Sequence, residues 1–63
     1  MTKKDYELIA RNFRTTMATA KRLKADASAG MILVLANSLA ADLAIDNPRF
    51  NRETFLSACG IAY

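Results

Sequence analysis

The sequence predicts an all-α protein, a two-helix hairpin closed by a short C-terminal capping helix and packed into a homo-oligomeric helical bundle. Three observations predict it. Apolar residues recur at three- and four-residue steps through the first part of the chain, a dense apolar run follows between Met31 and Ile45, and the segment from Phe50 to Ile61 carries explicit helix start and stop signals. The expected layout is one domain over residues 1–63, with helices near 3–27, 31–45 and 52–59.

The first helix starts at a capping box. Thr2 stands three residues before Asp5, so each side chain can reach the other's backbone N–H. Tyr6, Ile9, Ala10, Phe13, Met17, Ala20, Leu23 and Ala27 then form one stripe about a third of the way round the helix, which is a packing face. Between Asp26 and Gly30 lies the break signal of the first half. Ser28 is the expected N-cap of the next helix, and Gly30 costs about 1 kcal/mol inside a helix relative to Ala. A turn is expected here; without it the first two helices would fuse into a rod that also has to be buried between chains.

The second helix is apolar over most of its circumference. Leu35, Leu39, Ile32, Leu43, Ala36, Ala40, Leu33 and Ala44 cover roughly half of it at 100° per residue, while Val34, Ala41, Ile45 and Met31 lie among Asn37, Ser38 and Asp42 on the other side. The small residues 36, 40 and 44 make a flat strip where another helix can approach closely. Ile32, Leu35, Leu39 and Leu43 are the expected oligomer interface.

Asp46, Asn47 and Pro48 end that helix, because the residue before proline is driven out of helical conformation. Asn51 caps the last one. Phe50 and Phe55 occupy the two positions of a hydrophobic staple, Glu53 suits the positive end of the helix, and Gly60 followed by Ile61 predicts a Schellman stop with Ile61 folded back on Leu56.

Size and composition exclude several functions. A chain of 63 residues leaves a large share of its apolar surface exposed as a monomer, and 52% of these residues are hydrophobic. Disulfide staples are excluded by the single Cys59, and metal staples by the absence of His, so self-association is the expected means of burial. No Cys–His or Ser–His pair can exist and the carboxylates are not clustered, so no catalytic residue, metal or cofactor is expected. Cys59, at a helix C-terminus that disfavours a thiolate, reads as a small buried hydrophobe. The polar start argues against a secretory signal, and the Met31–Ile45 run falls short of the roughly 20 residues that span a bilayer. A cytoplasmic, membrane-free protein is expected.

Charge is uneven. Residues 1–24 hold seven Lys and Arg against two acids, whereas residues 25–46 hold three Asp and no base. Lys4, Arg11 and Arg22 project within a narrow arc, with Arg14 and Lys21 beside them. This face is the candidate binding surface for a nucleic-acid partner, against the plainer reading of a solvated face that keeps an oligomer soluble. Arg49 and Arg52, at the last turn and helix start, are the candidate contacts for a small anion; capping accounts for the polar residues around them equally well. A membrane-surface helix is disfavoured because the cations and the apolar run lie on different helices.

The tail, with Asp46-Asn47-Pro48-Arg49-Phe50, then Phe55-Leu56, then Ala58-Cys59-Gly60, resembles the ending of small uncharacterised proteins encoded by bacteriophages and related mobile elements. The opening Lys4-Asp5-Tyr6-Glu7-Leu8-Ile9-Ala10 resembles their start; residues 11–39 carry no part of the likeness. The resemblance brings no activity. It implies a phage or prophage accessory protein acting inside a bacterial host cell. The leading expectation is a non-enzymatic homo-oligomer that binds and modulates a host macromolecule, in counter-defence or host takeover.

Overall fold

A computed structural model describes residues 1–61. Three helices form in order: α1, Lys3–Arg22; α2, Asp26–Asp46; and α3, Arg52–Ala58. No strand occurs among the described residues. Helices α1 and α2 make an antiparallel hairpin in a molecule of 36 × 19 × 17 Å, and α3 packs against both.

Helix α1 begins at the expected capping box. The Asp5 N–H donates to Thr2 Oγ1 at 3.3 Å, and the Thr2 N–H donates to Asp5 Oδ2 at 3.0 Å. The bond from the Thr2 backbone, then that from its side chain, holds the Asp5 carboxyl below its ordinary value.

The stop of α1 corrects the sequence reading. The helix ends at Arg22, not near residue 27, and α2 starts at Asp26, not at Met31. Between them lies a Schellman turn with no glycine. Lys24 takes the left-handed conformation (φ 57°), its N–H donates to the Lys21 carbonyl at 3.0 Å, and the Ala25 N–H donates to the Ala20 carbonyl at 2.8 Å. These bonds satisfy two helix-end carbonyls, which offsets the roughly 1–2 kcal/mol that a left-handed L-residue costs. Ser28 and Gly30 are therefore interior to α2. Its N-cap is Ala25, which makes no side-chain cap bond.

Helix α2 stops where expected. Asn47 is extended (φ −134°, ψ 105°) ahead of Pro48, and the Phe50 N–H donates to the Asn47 carbonyl at 2.9 Å to close the connecting turn. Both ends of α3 also follow the sequence. Asn51 Oδ1 accepts from the Thr54 N–H at 3.0 Å, and the Phe50 and Phe55 rings of the staple sit 5.4 Å apart. Gly60 (φ 81°) donates to the Ser57 carbonyl, and Ile61 donates to the Leu56 carbonyl, each at 3.0 Å.

The core joins all three helices at one end of the molecule. Ala10 of α1 and Ala36 and Ala40 of α2 are essentially inaccessible, so the hairpin closes through alanine contacts, and Leu43, Phe55, Leu56, Cys59 and Ile61 complete the cluster. The strip of small residues on α2 does receive a helix at close range, and that helix is α1 of the same chain. Toward the Lys24 turn the molecule is only two helices thick. Met17 and Ala20 are buried there, outside the main cluster.

Candidate functional site

All five cations of the predicted basic face are exposed on α1. The structure groups three of them: Lys4, Arg11 and Arg14 line one shallow groove, which they share with Asp5 and Glu7. Lys21 and Arg22 lie in the last turn of α1, where they complement the negative end of the helix. From Arg11 to Arg22 the axial rise is about 16 Å. Arg14 has a second task. Its Cγ would stand 3.1 Å from a Cβ placed on Gly60, so its stem covers the stop of α3.

Arg49 and Arg52 border a shallow depression with Phe50, Asn51 and Glu53. The backbone donors that an anion would recruit there are partly engaged: Asn47 Oδ1 accepts from the Arg49 N–H at 3.1 Å, and Asn51 Oδ1 holds the Thr54 N–H. Capping accounts for this polar cluster.

The four predicted interface residues do not share one free surface. Leu43 belongs to the core of its own chain at 9% exposure, Leu39 packs against that core, and Ile32 is half-buried. Only Leu35, at 57%, faces outward. The physical reason is that α1 settles on the Ala36–Ala40–Leu43 side and takes the neighbouring leucines with it. The surface left open carries Met31, Val34 and Ile45, exposed by 66%, 58% and 83%.

Starting at Asp26, α2 runs for 21 residues and includes an 18-residue window of mean hydropathy 1.7, of which 11% is buried. By length and composition it could cross a bilayer, which corrects the expectation that its apolar run is too short. Core helices of soluble proteins meet the same criterion, but those are mostly buried; here α1 packs along one side of α2 and most of the window stays open in the single chain.

Sequence reading also missed an aromatic cleft of about 350 Å³ between the start of α1 and the α2–α3 connection. The rings of Tyr6 and Phe50 stand 5.0 Å apart on its wall, with Phe55 beyond. The staple pointed to Phe50 and Phe55; nothing local pointed to Tyr6 as their neighbour. Cys59 is buried, and burial raises its thiol above the ordinary value, which keeps it protonated and unreactive.

No known protein family, curated protein or solved structure matches the chain.

Proposed function

We propose that this chain is a non-enzymatic binding protein that works as a homo-oligomer, with apolar α2 surfaces turned inward and α1 turned toward a macromolecule of its host cell. The observation that carries the reading is excess surface. A folded monomer of 6.9 kDa exposes about 4,000 Å² by the usual scaling, and this chain exposes 4728 Å². Large apolar side chains contribute to it, from Leu33 at 41% to Ile45 at 83% exposure. The tail resemblance supports a mobile-element setting, hence a bacterial host and a role in modulating one of its components.

Light scattering at micromolar chain concentration tests the first part, with a mass at least twice that of the chain expected. Affinity capture from bacterial lysate with the native chain and with an Arg11→Glu/Arg22→Glu variant tests the second; a partner held by the native chain and lost by the variant is expected. A stable monomer that captures nothing removes the reading.

Nucleic acid is the second candidate partner, favoured by the exposure of all five α1 cations and opposed by Asp5 and Glu7 in the same groove. It requires binding that weakens steeply with salt and is lost on the same charge reversal. No mobility shift at low salt ends it.

A further inference from the structure

The outward face of α2 has an order that composition alone does not reveal. Ala27, Met31, Val34, Ser38, Ala41 and Ile45 follow one another at steps of four, three, four, three and four residues, the spacing of a coiled-coil seam. All lie on α2, and five of the six are exposed, Ala41 being half-buried. At 100° per residue this line runs roughly 170° round the helix from the buried Ala36, Ala40 and Leu43. Helix α2 thus carries two apolar seams on opposite sides, and α1 occupies only one.

We infer that the outer seam receives the same seam of a second copy, running antiparallel. The inference rests on the oligomeric reading above and assigns its surface, partner and direction. Shape and surface support a second copy. The seam is its own complement when reversed, as set out below, and pairing it would bury part of a surface that exceeds that of a compact monomer of this mass by about 700 Å².

The pattern of side-chain sizes selects the direction. In an antiparallel pair whose two-fold axis passes beside residue 36, Ala27 meets the partner's Ile45, Met31 meets the partner's Ala41, and Val34 meets the partner's Ser38. Every layer then joins one large and one small side chain, the arrangement that lets facing rows interdigitate. A parallel pair in register would stack Ala27, Ser38 and Ala41 each on its own counterpart, leaving half of the layers underfilled.

The flanks agree. Leu35 lies beside the axis and meets the partner's Leu35, which shields the seam at its centre. Asp42 comes close to the partner's Ser28, whose hydroxyl can donate to its carboxylate. Asn37, on the other flank, already donates its amide to the Leu33 carbonyl at 2.9 Å, so it can lie at the rim of an interface. The cations of α1 sit on the opposite side of the hairpin from the seam, so they do not confront one another.

Two measurements on the full chain test this. In the first, Met31→Cys and Ala41→Cys chains are exposed to oxidised glutathione separately and as a mixture of the two reduced chains, and disulfides are assigned by peptide mapping so that any involving Cys59 are recognised. A disulfide between residues 31 and 41, formed only in the mixture, is expected. A disulfide joining two copies of residue 31 in the single variant would overturn the direction.

In the second, Val34→Glu is compared with the native chain by light scattering and circular dichroism. Val34 is exposed in the isolated chain, so the variant is expected to keep its helical signal while its mass falls to that of one chain. A variant that stays oligomeric overturns the seam but leaves the oligomeric reading intact. A native monomer overturns both, and a native chain that is monomeric in buffer but binds neutral phosphatidylcholine vesicles shows that the face meets lipid instead.

Discussion

The two ends of the hairpin are built differently. At the end covered by α3, side chains from three helices close over Ala10, Leu43 and Leu56, and each chain reversal is stopped by a residue suited to it, Pro48 after α2 and Gly60 after α3. At the Lys24 end, two helices lie side by side with Leu23, Met31, Leu33, Val34 and Leu35 open to solvent, the turn holds a lysine in a glycine conformation, and α2 starts without a side-chain cap. One end can be finished within a single chain. The other keeps large apolar side chains open to solvent, so on the oligomeric reading proposed above its stability rises with chain concentration.

Substitutions that act on one end at a time can break or sharpen that contrast, provided chain concentration is held constant. The largest effect belongs to Phe55→Ala, which empties a 4%-exposed aromatic site in the covered end and should cost about 3–5 kcal/mol in urea unfolding. Met17→Ala, buried in the two-helix end, should cost less, about 2 kcal/mol, because solvent and the side chains of a thin layer can relax around the gap. Equal costs would show that the two ends are equally packed. Next come the turns. Gly60→Ala forces a side chain into φ 81° against the Arg14 stem and should destabilise by about 1–2 kcal/mol. Lys24→Gly, the reverse change at the matching position of the other turn, should stabilise by about 0.5–1 kcal/mol.

Gly30→Ala should also raise the melting temperature, by the equivalent of about 0.5–1 kcal/mol, since the glycine is helical and no atom lies within 4 Å of the added methyl. The smallest effect is at the capping box. Asp5 ionises more readily folded than unfolded, so its contribution is present above the ordinary carboxylate pKa and fades as pH falls through the lowered one. A Thr2→Ala chain should therefore lose less stability than the native chain between pH 5 and pH 2, as read by acid titration of the melting temperature.

The same contrast decides what could be read from the residues. At the covered end the signals are local: a box of Thr2 and Asp5, an Asn before a Pro, a staple of two Phe, a glycine followed by Ile61. Each is a side chain answering a nearby backbone group, so sequence spacing suffices. The Lys24 turn has no such mark, since only its backbone bonds distinguish Lys24 from any other surface lysine, and Gly30 drew the break five residues too late to end the first helix. The division of α2 was illegible for another reason. A helix apolar on both sides has no preferred direction until its neighbour is placed, so Leu43 and Leu35 looked equivalent until α1 separated them. The basic face was legible residue by residue, while the sharing of its groove with Asp5 and Glu7 was not.

The closing bond from Ile61 to Leu56 also fixes where the chain can be shortened. Half of the core cluster lies between Phe55 and Ile61, so a chain cut before Phe55 would keep both long helices and lose half of the side chains that hold them together at that end.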